Sequence, residues 1–140
     1  MSNERSLSAF FADSAKRPEN VKAVISDRFT DEKGNPIEWE FRQVPSSEVK
    51  GLRNMCYITV DGRRVMDEET FGARCLALSV VYPNLNDGDL LSSYGARDAA
   101  GLLNAMLYMN ELNKVSEVFQ KMNIPEGESF RAQVETVKNS

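Results

Sequence analysis

The sequence has no histidine among its 140 residues. That removes the commonest general base and the commonest metal ligand. Cysteine is scarce: Cys56 and Cys75 stand far apart with no Cys-x-x-Cys pair, a spacing that does not fit a zinc site. Both sit among apolar residues at helical spacing, so two buried thiols are expected and a disulfide is not. The glycines form no phosphate-cradling loop: Gly95 and Gly101 match neither the Walker pattern nor the dinucleotide fingerprint. No Gly-x-Ser-x-Gly elbow occurs. No apolar run approaches the roughly 18 residues of a membrane span. The start, MSNERSLSAFF, has charges but neither a long apolar stretch nor a cleavage site. These absences predict a cytoplasmic protein that does no catalysis and needs no cofactor or metal.

The charge points the same way. The net is −4, with +1 over residues 1–64 and −5 over residues 65–140. An acidic second half without a basic stripe speaks against nucleic acid as a partner, because phosphates are bound by clustered Lys and Arg. Asp87-Gly88-Asp89 lacks the remaining ligands of a calcium loop and reads as a turn leading into a helix. The acid pairs Asp31/Glu32 and Glu68/Glu69 read as solvated turn and helix-start residues.

What is present is an ordinary globular composition, 41% hydrophobic and 27% charged. A chain of this size is expected to bury about two-thirds of its unfolded surface as one domain. Leu7, Phe10 and Phe11 at i, i+3, i+4 predict a short helix over 4–15. Val21, Ala23, Ile25 and Phe29, and then Ile37, Trp39 and Phe41, alternate with polar residues at period 2. They predict two strands joined through Asp31–Pro36. Keeping odd positions on one face suggests Ile25 opposite Phe41, which sets Arg28 opposite Glu38.

After Pro45 the period becomes helical, with Ser46 or Ser47 as the expected N-cap. Tyr57–Val60 is ambiguous, and Asp61-Gly62 marks a turn. A helix from Asp67 presents Phe71, Cys75 and Leu78, with Val81 as the outermost candidate of the same face, and ends at Pro83. Asp98–Met109 and Glu111–Met122 complete the helical set, with a bend or break near Asn110. The expected fold class is α+β: an N-terminal antiparallel β-hairpin packed on a mainly α-helical domain of about five helices. Residues 1–124 form the domain, with the hairpin at about 21–44 and the helices at about 46–122. Residues 125–140 are expected to be a flexible tail.

One string carries more than periodicity. Tyr82-Pro83-Asn84-Leu85-Asn86-Asp87-Gly88-Asp89-Leu90-Leu91-Ser92-Ser93-Tyr94-Gly95 is followed by Ala99-Ala100-Gly101-Leu102-Leu103-Asn104-Ala105-Met106-Leu107. This resembles the XkdN-like family of phage tail assembly chaperones. The hairpin stretch Arg28–Trp39 resembles the family more loosely, and the likeness spans roughly residues 20–123. Tyr108-Met109-Asn110-Glu111-Leu112 departs from the turn many relatives have there, which leaves the start of the last helix open.

The resemblance implies a chaperone that coats an aggregation-prone tape measure protein. It also implies recruitment of tail tube subunits and absence from the finished virion. Partners would then be the tape measure protein and the tail tube protein, with no membrane and no nucleic acid; a homo-oligomer is compatible with this. The alternative is another phage-encoded or secretion-type adaptor, also a protein-binding module. Candidate partner-binding residues are Leu103, Met106, Leu107, Met109 and Phe119, a soft apolar set suited to varied partners. Ordinary core packing is the competing account of the same stripe.

Overall fold

A computed structural model describes residues 5–124. The architecture is α+β, with antiparallel strands near the N-terminus and five helices among the described residues. The expected tail, 125–140, lies outside the described residues.

Strands β1 (Val21–Val24), β2 (Glu38–Phe41) and β5 (Val80–Tyr82) form one antiparallel sheet in the order β1-β2-β5. Ala23, Trp39 and Phe41 share its inner face, as the alternation predicts. The expected register is corrected. Val21 stands opposite Phe41 and Val24 opposite Glu38, so the strands pair four residues out of the predicted alignment. At the hairpin tip the predicted alignment is found: Thr30 bridges Pro36, and the Ile37 N–H donates to the Phe29 carbonyl at 2.8 Å. Between these two regions residues 25–29 face Ile37 alone, which makes a large bulge.

The bulge has a physical reason. It drops Ile25 into the core and turns Arg28 away from Glu38 towards the helices. An exposed cross-strand ion pair contributes only about 0.2–1 kcal/mol. Arg28 instead donates from Nε (2.9 Å) and Nη2 (2.5 Å) to the carboxylate of Glu111, and from Nη2 to the Met106 carbonyl (2.8 Å). Its guanidinium packs on the rings of Phe29 and Tyr108, 4.9 and 4.8 Å from their centroids. Glu111 is buried and also accepts the Tyr108 N–H at 2.9 Å. The Arg28 bonds, above all, hold its carboxyl far below the usual range, at about 2.

Five helices follow the hairpin. They are α1 (Ser46–Asn54), α2 (Glu68–Ser79), α3 (Gly88–Ser93), α4 (Ala99–Met106) and α5 (Met109–Asn123). Asp67, Asp87 and Asp98 cap α2, α3 and α4, each accepting a backbone N–H three residues on. Helix α1 differs from expectation: Pro45 holds the cap position, and Ser46 begins the helix without a side-chain cap. Gly95 (φ +67°) closes α3, where Ala96 N–H reaches Leu91 O at 2.9 Å and Gly95 N–H reaches Ser92 O at 3.1 Å, a Schellman end. The α4–α5 break falls at Leu107-Tyr108, just before the Asn110 region, because Glu111 reaches back to the Tyr108 N–H and starts the new helix there.

Two further expectations are corrected, and one ambiguous segment is resolved. In place of the helix expected over 4–15, the described residues of that stretch have a 3-10 turn at Ser8–Phe10 and no α-helix, with Leu7, Phe10 and Phe11 exposed. A short helix with no packed face is marginal in water. Helix α2 stops at Ser79, not at Pro83, because Val80–Tyr82 supply β2 with a second neighbour. β-Branched and aromatic side chains before a proline favour the extended backbone. Tyr57–Val60 (β3) pairs with Arg63–Met66 (β4) across a two-residue turn, with Asp61 at φ 52° and Gly62 at φ 77°.

The core joins Ile25, Trp39 and Phe41 from the sheet side to Leu85, Leu102, Leu103, Met106, Leu107 and Val115. Both cysteines are buried and free, as expected. Phe41 is 0% exposed. Phe41→Ala should lower stability by about 3–5 kcal/mol, read as a reduced urea midpoint at unchanged slope.

The low carboxyl pKa of Glu111 sets a pH window. A group ionising more easily when folded adds stability above its unfolded value, 4.5, and loses it as pH falls towards about 2. Thermal melts should therefore drop over that range in the wild type. In Glu111→Gln the melt should start lower at neutral pH and fall less steeply through the same window.

Candidate functional site

Helix α2 packs against α1, α4 and α5. Where α1, α2 and α5 meet, their facing side chains do not close over one another. They leave an open groove of about 700 Å³ lined by Val44, Val49, Phe71, Cys75, Phe119 and Ile124, with Lys50 and Arg53 along one side. A smaller hollow of about 340 Å³ continues it past Leu76 and Ser116, sharing Phe71, Cys75, Phe119 and Ile124. Its walls follow from helical spacing. Val49 and Arg53 lie one turn apart on α1, as do Phe71 and Cys75 on α2.

The groove's end is fixed by the segment that follows β2. The Gln43 side chain donates to the Met122 carbonyl at 2.7 Å, and Val44 N–H donates to the Asn123 side-chain oxygen at 2.9 Å. These bonds anchor the end of α5 beside the start of α1. Arg53 stands with its guanidinium 5.1 Å from the Phe71 ring centroid and has no carboxylate partner among the described residues. The Cys75 thiol is pushed up by burial, so it is a wall residue and not a ready nucleophile. A second hollow of about 610 Å³ carries Arg42, Arg74, Asn86 and Asp98 and is more polar. Among the described residues no three Cys, Asp or Glu side chains gather as a metal-binding set.

The candidate residues separate. Leu103, Met106 and Leu107 lie in the core, packed with Trp39 and Phe41. Met109 is 81% exposed at the first turn of α5 and does not line the groove. Phe119 is half-buried and forms a groove wall. The sequence reading did not single out Val49, Phe71 or Ile124 as binding residues. Phe71 was visible as a helix-face residue, but nothing in the sequence says which face stays uncovered.

The resemblance string is largely scaffold. Leu85, Leu102, Leu103, Met106 and Leu107 are buried. Asp87 caps a helix and Gly95 ends one. Such a string reports a shared fold, and comparison with known proteins agrees. Residues 7–138 match the family described as phage XkdN-like tail assembly chaperone protein.

The chain belongs to the XkdN-like family of phage tail assembly chaperones.

Among relatives of this chaperone, the phage-like element PBSX protein XkdN of Bacillus subtilis (strain 168) is 30% identical over 126 residues, covering 83% of this chain and 85% of that one. The uncharacterized protein YqbN of the same strain is 30% identical over 122 residues, covering 80% and 82%. The crystal structure of the protein YqbN superposes with a TM-score of 0.69 at 26% identity, covering 84% of this chain and 98% of that one. The α+β arrangement is thus shared with a solved structure. No helix among the described residues is long and apolar enough to cross a membrane.

A structural role for the core methionine and leucines separates from a binding role by mutation. Leu102→Ala and Leu103→Ala should each cost about 2–5 kcal/mol of stability. Met109→Ala, at an exposed position, should stay within about 0.5 kcal/mol. Urea denaturation of the three variants checks this.

Proposed function

We propose that this tail assembly chaperone binds the tape measure protein by receiving an apolar helical segment of it in the α1–α2–α5 groove. The observation that carries the reading is the groove itself: Val49, Phe71, Phe119 and Ile124 line an open trough that no element among the described residues fills. A trough between helices suits an amphipathic helix laid along it, with anchors at one-turn spacing. Tape measure segments need such a cover until the tube encloses them, because large exposed apolar patches drive aggregation. Helping to recruit tail tube subunits is the second half of the role. The work takes place in the host cytoplasm, outside the finished virion, and involves no catalysis.

Of the five residues named from sequence, Phe119 is the one this reading assigns to the partner surface, joined by Phe71 and Val49. Leu103, Met106 and Leu107 belong to the core and are not part of that surface.

Co-expression with the tape measure product of the same gene cluster tests the proposal. The product should become soluble and co-purify with the chaperone. Phe119→Asp and Val49→Asp should reduce co-purification by about tenfold or more, as expected for an apolar anchor in a desolvated pocket, while circular dichroism stays unchanged. A tape measure product that stays insoluble and fails to co-purify with the wild type overturns the reading.

A further inference from the structure

We propose that the outer edge of β3 accepts an extended segment of a partner protein, a strand in which apolar residues alternate with acidic ones. This surface is separate from the groove and does not rest on it.

The register identifies the free backbone groups. Val60 and Arg63 flank the two-residue turn, so they form a hydrogen-bonded pair. Bonding alternates along an antiparallel ladder, which makes Ile58 and Val65 the next such pair. Asp67 N–H donating to Cys56 O at 2.8 Å continues the series. The N–H and C=O of Tyr57 and Thr59 therefore point away from β4. Among the described residues β3 has no strand neighbour other than β4.

Exposed edges are usually blunted by charge, proline or a bulge. Strand β4 carries Arg63 and Arg64. Strand β3 reads Tyr57-Ile58-Thr59-Val60, with no charge and no proline, in unbroken register. The unguarded edge is thus β3, and what its unpaired groups fit is another strand.

The side chains specify that strand further. One face of the hairpin bears Ile58, Val60 and Val65, exposed at 46%, 47% and 39%, with Arg63 opposite Val60 at the turn end. A two-stranded sheet with a largely apolar exposed face is marginal, and a third strand bearing apolar residues on that side, next to β3, would widen it. The other face bears Tyr57, Thr59, Arg64 and Met66. The Arg64 guanidinium leans back across β3, 4.3 Å from the Tyr57 ring centroid, and has no carboxylate partner among the described residues. It lies towards the free edge, where an acidic side chain on an added strand would meet it. Apolar residues on one face and acidic residues on the other give strict alternation along the partner. A second copy of this chain fits less well, because its own β3 offers no carboxylate to Arg64.

The probe is an acetylated, amidated octapeptide of alternating Val and Glu, titrated into the isotopically labelled full-length chain. Saturable binding should appear, with amide exchange slowed at Tyr57 and Thr59. The Val/Lys octapeptide should bind about tenfold more weakly or less, as complementary against like charge across a strand edge requires. Arg64→Glu should reverse that preference. Thr59→Pro removes an outward N–H without breaking a β3–β4 bond, and should abolish binding at an unchanged melting temperature. Should Thr59→Pro unfold the hairpin, the Arg64→Glu reversal decides alone. The proposal is overturned by no saturable binding, by binding blind to peptide charge, or by shifts confined to the α1–α2–α5 groove. It is also overturned if Tyr57 and Thr59 become protected without peptide as protein concentration rises, which would make a second copy the occupant.

Discussion

The last carbonyls of a helix have no partner within it, and the first turn of a helix favours negative charge. Two arginines of one β-hairpin answer both demands at once. Arg28 takes the Met106 carbonyl at the end of α4 and the Glu111 carboxylate in the first turn of α5. Arg42 takes the Leu78 carbonyl near the end of α2 and, through a 2.7 Å ion pair, Glu48 in the first turn of α1. Each guanidinium ties one helix end to another helix start, with the sheet as the common frame. The Arg42–Glu48 pair holds the Glu48 carboxyl below its usual range, but it is partly exposed and is the weaker of the two. The Arg28–Glu111 pair is the more buried, and the bulge in the hairpin exists to reach it.

Those clamps decide where the helices stand, and the helices decide what is left open. With α4 and α5 broken at Tyr108, one helix fills the core beside Trp39 and Phe41 while the other runs on along α2. The groove along Phe71 and Phe119 is the space that arrangement leaves. On the proposed reading this trough is the partner surface, and Lys50 and Arg53 along it limit its bare apolar area.

Much of the fold was legible. Period-2 alternation placed Trp39 and Phe41 on the inner face, and helical spacing placed helices from Asp67 and from Asp98, though not the capping role that both aspartates and Asp87 take. Other elements were not legible, each for a stated reason. The β3–β4 hairpin offered the Asp61-Gly62 turn, but its strands are too short for periodicity to separate from a helix end. Val80–Tyr82 looked like the last turn of α2 because the demand for a strand comes from β2, far away in sequence. The 3-10 turn at Ser8–Phe10 had helical spacing but no surface to pack on. Of the candidate site, Phe119 was named, while Leu103, Met106 and Leu107 carried the same apolar signature and are buried. Apolar periodicity marks a face that wants covering and does not say whether this chain or another covers it.

The sequence by itself determined the class of fold, the family and the parity of the hairpin, because these follow from local spacing and from a string of core and turn residues. It did not determine the hairpin's register, since the Arg28–Glu38 pairing it suggested was weak and local. Only tertiary structure decided that Arg28 meets Glu111, 83 positions away. It also decided which apolar residues are core and which line the groove or the β3 edge. The reason is the same in each case: the outcome depends on burial and on partners brought together from distant parts of the chain, and no local pattern carries that information.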